Sequence, residues 1–372
     1  MNSTQGTCHV LFVVPSLQGG GAERVMVTLL RHLDRSRFRL SLAVVDMRDA
    51  AYAADLPADV ELIDLNCRRV RHALPKIVSL VRRMRPQVVF STLGHLNLAL
   101  AIFRVFLPND VRYVAREATV VSQLPGTHAI PRWWFPAYRR FYARFDAIVC
   151  QSVAMQEDLV RYFRIPQVRT VVINNPVDVE WIRTLADAPE GLVSPAGESC
   201  ALALVAAGSL THVKGYDLLL EALAMCLDMP FHLTILGDGP LRGELERLAE
   251  ARGLASRIRF VGFKANPYAY FRTADALVLS SRFEGFPNVV LESLACGTPV
   301  VASPCPGGVS EILGSVAGCV LADDCSVAAL AQALRRFVPG RRIGPEVLGP
   351  YAVAGIVARY EQVILGAGVR AS

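Results

Sequence analysis

Ser280 to Ser303 reads SSRFEGFPNVVLESLACGTPVVAS, and the order of its residue types describes one folding unit. The stretch leaves the apolar run Ala276–Ser280, turns through the glycine and proline around Glu284, and takes up a helical pattern from Asn288. Gly297-Thr298-Pro299 then stops that helix and opens a second apolar run, Val300–Ser303. A helix starting near Asn288 puts Glu292 just over one turn inside it. The N–H groups of Asn288, Val289 and Val290 would then point out of its positive end, where a diphosphate is stabilised. Glu284 lies in the loop before it, among apolar neighbours that include Phe286. A carboxylate that accepts two hydrogen bonds suits vicinal hydroxyls, of a ribose or of a sugar ring. The rival reading is two unrelated surface glutamates; the apolar surroundings and the glycine-proline loop speak against it.

The same alternation runs through the whole 372-residue chain. Short apolar, β-branched runs at His9–Val14, Leu40–Val45, Val60–Leu65, Val88–Ser91, Val111–Ala115, Ala147–Cys150 and Val171–Ile173 are spaced by helix-length segments. A second set stands at Leu202–Ala207, Phe231–Leu236, Ile258–Val261, Ala276–Ser280 and Val300–Ser303. Continuous apolar strands spaced by helices predict parallel sheets covered on both faces. Between the sets, Asp187–Ser199 (DAPEGLVSPAGES) is rich in Pro, Gly, Ala and acid without a period, so it reads as a linker. The expected architecture is two doubly wound α/β domains, 1–186 and 200–345, joined by the linker 187–199. A helical segment, 346–372, closes the chain, with a return to the first domain as one reading. Ligands of such sheets bind beyond the carboxyl ends of the strands, so two facing sheets predict a cleft.

With 52% hydrophobic and 19% charged residues the chain can bury large cores, which excludes a disordered protein. No apolar run reaches the roughly 18 residues of a membrane-spanning helix. The opening MNSTQGTCHVLFVV has no basic lead and reads as a first strand, not a signal peptide. Nine cysteines, odd in number and without C-x-x-C spacing, argue against zinc and disulfide frameworks and predict a reducing, cytoplasmic setting. The net charge of +6 is uneven, since Ser194–Glu346 holds 13 Lys/Arg against 15 Asp/Glu and leaves +8 on the remainder. Arg68–Arg85 (RRVRHALPKIVSLVRRMR) has seven basic residues and no acidic one. Pro131–Phe145 (PRWWFPAYRRFYARF) has four basic residues among seven aromatics. Trp133, Trp134 and Phe135 beside Arg132, Arg139 and Arg140 read either as a helix packed on the first domain or as an interfacial anchor. A basic, aromatic first half points to an anionic partner, a membrane surface or a phosphate-bearing acceptor. No nucleic-acid partner is expected.

Two more glycine turns follow strands. Pro15–Arg24 (PSLQGGGAER) would bring backbone N–H groups of Gly20 and Gly21 to a phosphate, with a helix beginning at Gly21–Ala22 behind them. It is not a dinucleotide fingerprint, because Arg24 stands where the third glycine belongs. A plain tight turn is the alternative. Ala207–Leu220 (AGSLTHVKGYDLLL) sets Lys214 between the turn at Gly208 and Gly215, as a fixed positive charge for an anion. No Asp-x-Asp occurs in the chain, so no metal is expected on a diphosphate and electrostatic stabilisation falls to protein cations and a helix dipole.

These motifs, in this order, resemble glycosyltransferase family 4. The resemblance runs from about Val10 to about Ile312. It is carried by Gly19-Gly20-Gly21-Ala22-Glu23-Arg24, Asn175-Pro176-Val177-Asp178, Gly208-Ser209-Leu210 with Lys214-Gly215, Leu236-Gly237-Asp238-Gly239-Pro240, Phe260-Val261-Gly262-Phe263 and the Glu284–Glu292 segment. It implies the GT-B fold, two Rossmann-like domains facing each other across a cleft. The implied reaction is retaining, metal-independent transfer of a hexose or N-acetylhexosamine from a nucleotide diphosphate sugar, UDP-linked by preference. The acceptor would be a glycan or lipid-linked saccharide of cell-surface polysaccharide biosynthesis, reached from the inner face of the membrane. The sugar nucleotide is a co-substrate; no cofactor is implied.

The resemblance also implies roles. Lys214 and the helix start at Asn288, Val289 and Val290 would hold the leaving diphosphate. Glu284 would take donor hydroxyls and Glu292 the ribose, with Gly208, Ser209, Gly237 and Phe286 lining the donor and Gly20 and Gly21 approaching it. Arg24, Glu117, Trp133 and Trp134 fall to the acceptor side. Ser209 departs from the pattern, since an arginine often stands there as a second cation; Lys214 would then carry more, helped by Arg24 or His212. The family's cleft histidine has no counterpart in Arg116-Glu117-Ala118-Thr119, and His95 in STLGHLNLA is the substitute. Two rivals stay open on sequence alone: a nucleotide-sugar epimerase on the same domains, and a non-catalytic partner that binds nucleotide sugars.

Overall fold

The computed structural model describes residues 7–127, 133–188 and 201–366. Its described residues form two compact units. One runs to Pro176 and resumes at Val353; the other is Val177–Ala352.

The first unit alternates β1 (Cys8–Ser16), α1 (Gly21–His32), β2 (Phe38–Asp46), β3 (Glu61–Asp64), α2 (Val70–Met84), β4 (Val88–Thr92) and α3 (Gly94–Phe103). It continues with β5 (Arg112–Arg116), α4 (Trp134–Phe141), β6 (Ala147–Cys150), α5 (Val153–Phe163) and β7 (Thr170–Val172). The strands form one parallel sheet in the order β3-β2-β1-β4-β5-β6-β7. The uninterrupted apolar run of β1 has a direct cause. Leu11 and Val13 point into a core with α2, α3, α4 and α5, while Val10, Phe12 and Val14 point into a second core with α1. A strand buried on both faces has no polar side to show.

The second unit begins with α6 (Val179–Ala186) and alternates β8 (Leu202–Ala207), α7 (Tyr216–Ala224), β9 (Phe231–Leu236), α8 (Arg242–Ala251), β10 (Ile258–Gly262), α9 (Tyr268–Thr273) and β11 (Ala276–Leu279). Then come α10 (Asn288–Ala295), β12 (Val300–Ala302), α11 (Val309–Leu313), β13 (Val320–Leu321) and α12 (Val327–Arg336). Its parallel sheet runs β10-β9-β8-β11-β12-β13. Every strand expected from sequence is present; β13, two residues long, had no apolar run to announce it.

The chain divides ten residues earlier than the sequence reading placed it. Ile182 and Ala186 of α6 bury in the core of the second unit, and Arg183 Nε donates to Ala295 O at 3.0 Å. That helix therefore belongs with the second unit and not with 1–186. Of the expected linker only Asp187 and Ala188 fall within the described residues. The second unit also extends to Ala352, past the expected 345, because Leu348 joins its core and Val177 N–H donates to Tyr351 O at 2.9 Å. The chain then returns to the first unit as α13 (Val353–Ile364). Ile356, Val357, Tyr360 and Val363 pack with α1, and Glu361 pairs with Arg37.

Candidate active site

In the second sheet the strand order reverses at β8, with β9 on one side and β11 on the other. Loops leaving β8 and β11 turn into helices on opposite faces of the sheet, and ligands of such folds bind at that switch point. Lys214 is in the first of these loops and Glu284 in the second. They meet there: Lys214 Nζ donates to Glu284 Oε1 at 2.6 Å, with side chains 24% and 10% exposed. Ser281 Oγ donates to the same oxygen at 2.6 Å.

Backbone contacts lock the two loops together. Gly215, at φ +63°, passes so close that a Cβ would stand 2.1 Å from Ser280 O. Ser280 Oγ donates to Lys214 O at 3.1 Å, and Arg282 N–H to Val213 O at 2.8 Å. The loop after β9 joins them: Gly237, at φ +135°, would bring a Cβ within 2.0 Å of Gly208 O. Gly208 in turn lies against the Lys214 stem, 3.4 Å from Cε to the position a Cβ would take. Glu284 N–H donates to Pro306 O at 2.9 Å, so the loop after β12 closes the far side.

Helix α10 starts at Asn288, as expected. Its first three N–H groups are not equivalent, however. Val290 N–H is spent on Pro287 O at 3.1 Å and its side chain is core, whereas Asn288 and Val289 are half-buried. Glu292 is buried to 6% exposure one turn on. Phe286 is buried too, with its ring 5.5 Å from that of Tyr351 and pressed over Gly308, where a Cβ would meet it at 2.2 Å. Ser209 is exposed and lies 3.5 Å from Thr211 Oγ1, and His212 is exposed as well. Arg282 does not replace the absent arginine, because both its terminal nitrogens go to Asp217 at 2.8 and 2.6 Å. Against the upward push of burial, that pairing holds Asp217 below the usual carboxylate range. Cys305, buried near Lys214 and Glu284, has its thiol pushed up by burial and is no thiolate nucleophile. Among the described residues no cluster of three or more His, Cys, Asp or Glu could hold a metal ion.

In the first sheet the order reverses at β1, beside β4. The glycine turn after β1 is in place, but its donors are taken. Glu23 Oε2 accepts from Gly19 N–H at 3.0 Å and Gly20 N–H at 2.7 Å, and Ser16 Oγ donates to its other oxygen. An internal carboxylate thus fills the place expected for a phosphate. Arg24 donates to Tyr52 Oη from Nε at 2.9 Å and Nη2 at 2.7 Å, and Tyr52 Oη donates to Gly19 O.

His95 follows β4 in a turn whose backbone is strained. Leu93, not a glycine, sits at φ +72°. Gly94 has no room for a side chain: a Cβ would stand 2.4 Å from Tyr138 Oη and 3.2 Å from Glu117 Oε1. His95 is solvent-accessible, yet desolvation by the surrounding protein lowers its pKa, so the imidazole is neutral near pH 7. Beneath the turn, Glu117 is fully buried and accepts from Tyr142 Oη at 2.5 Å and Tyr138 Oη at 3.3 Å. Burial pushes its carboxyl up, partly offset by the Tyr142 hydrogen bond. Asn97 completes the network, with Ser91 Oγ, Arg116 O and Tyr142 Oη as partners. Glu117 therefore cannot touch an acceptor; it supports the turn that carries His95. Of the tryptophans, Trp133 is 56% exposed, but Trp134 packs against Tyr138 and Phe135 stacks on Phe163. Arg139 Nε is tied to Tyr162 O at 2.9 Å, and Arg132 lies outside the described residues. Most of that segment is a helix packed on its own domain.

Sequence reasoning missed Ser281, Glu23 and the Asp217–Arg282 pair. Two of these had a signal. Ser281-x-x-Glu284 and Gly20-x-x-Glu23 both have the spacing at which a carboxylate folds back on a residue three positions earlier.

Comparison with known proteins agrees with this layout. The model described as Glycosyltransferase Family 4 matches residues 19–181, and the one described as Glycosyl transferases group 1 matches residues 201–338. The chain belongs to glycosyltransferase family 4. Among relatives of this transferase, an N-acetylgalactosamine-N,N'-diacetylbacillosaminyl-diphospho-undecaprenol 4-alpha-N-acetylgalactosaminyltransferase of Campylobacter jejuni is 29% identical over 80% of this chain and 81% of its own. The putative glycosyltransferase EpsF of Bacillus subtilis is 27% identical over 94% of this chain and 93% of its own. The crystal structure of Anabaena Alr3699/HepE in complex with UDP and glucose superposes with a TM-score of 0.76 at 19% identity, covering 96% of this transferase and 99% of that chain. The fold is GT-B.

Proposed function

We propose that this transferase moves a hexose or N-acetylhexosamine from a UDP-linked donor to a glycan or lipid-linked saccharide, with retention and without a metal. The observation that carries this reading is the Lys214–Glu284 pair at the β8–β11 switch point, beside the start of α10. Lys214 and the α10 N-terminus would take the charge that develops on the leaving diphosphate, the largest single electrostatic demand of the step. Glu284 would hold sugar hydroxyls and Glu292 the ribose. Burial pushes up the Cys305 thiol near the pair and so disfavours a thiolate nucleophile; attack from the donor's own face would be the route, the leaving phosphate oxygen taking the acceptor proton. His95, neutral at pH 7, can accept a hydrogen bond from a hydroxyl.

UDP is favoured as the carrier because the Anabaena neighbour was crystallised with UDP and glucose. A lipid-linked acceptor is favoured because the Campylobacter relative is described as acting on a diphospho-undecaprenol saccharide. A panel of nucleotide sugars, scored by thermal stabilisation and by hydrolysis, tests the donor. UDP and a UDP-sugar should raise the melting temperature and UMP should do so less. Stabilisation by UMP equal to that by UDP would remove the diphosphate from the site.

A further inference from the structure

Helices α2, α3 and α4 lie side by side on one face of the first sheet. Where α2 passes the end of α3, a groove of about 590 Å³ opens, lined by Val78, Ser79, Arg82, Arg83, Phe103 and Phe106. Its floor is apolar and open to water. The rings of Phe103 and Phe106 lie 5.7 Å apart, and Phe106 is 54% and Val105 68% exposed. Its rim is basic. Arg82 Nη2 donates to Phe106 O at 2.8 Å, which fixes a guanidinium at the edge of the aromatic floor. Neither Arg82 nor Arg83 enters an ion pair among the described residues. No Asp or Glu occurs from Leu65 to Asn109, a stretch with eight Lys and Arg.

Each half of this arrangement has its own requirement. Exposed aromatic surface is stabilised by entering an apolar phase, and unpaired arginines by anionic phosphates. A polyanion in water satisfies only the second. A bilayer with anionic headgroups satisfies both, since the acyl boundary lies just below the phosphates. We propose that this groove docks the transferase on an anionic phospholipid surface, with Phe106 and Val105 at the acyl boundary and Arg82 and Arg83 on lipid phosphates. The contact is distinct from Trp133, whose neighbours Trp134 and Phe135 are already committed to the core.

Cosedimentation of the full chain with vesicles tests this independently of any transfer activity. Mixed phosphatidylglycerol–phosphatidylcholine vesicles should bind it at low salt, and phosphatidylcholine alone should not. Phe106→Ser should weaken binding at every salt concentration. Arg82→Glu with Arg83→Glu changes the charge by four units and should lower affinity by roughly three orders of magnitude at low salt, about fivefold per unit of charge. Arg83→Glu alone breaks no hydrogen bond and keeps the test valid if the double variant unfolds. Trp133→Ala should leave partition unchanged. Absence of binding to the anionic vesicles overturns the proposal. So does binding lost with Trp133→Ala but kept with Phe106→Ser, or soluble polyphosphate bound equally well by wild type and Phe106→Ser in place of vesicles.

Discussion

Replacing Lys214 by Met keeps most of the aliphatic stem and deletes the charge, and the structure separates its two consequences. The first is stability. Glu284, whose side chain is 10% exposed, would lose its 2.6 Å partner and keep the Ser281 hydroxyl alone. A carboxylate left short of one partner costs about 1–3 kcal/mol. The second is catalysis. Removal of one donor that faces developing charge costs about 3–4 kcal/mol, a hundred- to thousandfold in kcat. The double variant Lys214→Met with Glu284→Gln tells them apart. It strands no charge, so most of the stability should return while turnover stays low. The assay is release of nucleotide diphosphate from the donor selected by the panel, run well below the melting temperature of each variant. Near-normal kcat in Lys214→Met would remove this residue from the mechanism, whatever its effect on melting.

Turnover should survive dialysis against excess EDTA; complete loss restored by magnesium or manganese would sink the metal-free reaction. Glu292→Gln should weaken binding of the free nucleotide, whereas Glu284→Gln should lower kcat and leave that affinity nearly unchanged, so equal effects on nucleotide affinity contradict the division of roles. Glu117 is held above the ordinary carboxylate range by burial, so above about pH 4.3 the unfolded chain has released a proton that the folded chain keeps, and folding becomes less favourable as pH rises. Glu117→Gln removes that slope, and urea melts should show its stability relative to wild type increasing with pH; a pH-independent difference refutes the assignment. Ser209→Arg, at an exposed position, should tighten binding of the nucleotide diphosphate about tenfold without changing that of the nucleoside, and an equal gain for both would show that no phosphate lies near.

What the sequence disclosed follows from how local each signal is. The strands of both sheets apart from the two-residue β13, the start of α1 at Gly21 and that of α10 at Asn288 depend on neighbours within a few residues, and these were legible. The allegiance of α6 was not, because an apolar helical face reads the same whichever core it enters. Glu117 was misread for a similar reason. It follows a strand, where functional side chains gather, but its partners Tyr138 and Tyr142 are 21 and 25 positions away. Nothing in Arg-Glu-Ala-Thr announces that the glutamate turns inward. The Trp133–Trp134 pair shows the limit of composition, since aromatic-plus-basic describes an interfacial anchor and a core-packed helix equally well. The packing of Trp134 on Tyr138 and the stacking of Phe135 on Phe163 separate them.

Both sheets place a carboxylate where an anion site was expected, and the difference between the two decides which can exchange it for a phosphate. In the first unit Glu23 accepts from two backbone N–H groups and a serine, is 5% exposed, and belongs to the first turn of α1. Displacing it would unmake a helix cap, so that glycine turn is structural and can meet a ligand only with its outer surface. In the second unit Glu284 is held by one lysine and one serine, from a loop and not from a helix. An ammonium group has three protons to give, and Glu284 takes one of them. Lys214 could therefore donate to a phosphate oxygen while Glu284 turned from the lysine to a sugar hydroxyl. On the proposed function, the carboxylate that neutralises the lysine in the free protein would then be the group that reads the sugar in the complex. On that reading the site would expose its full positive charge only when a donor with both a diphosphate and a hydroxyl-bearing ring arrives, which would disfavour free phosphate as a competitor.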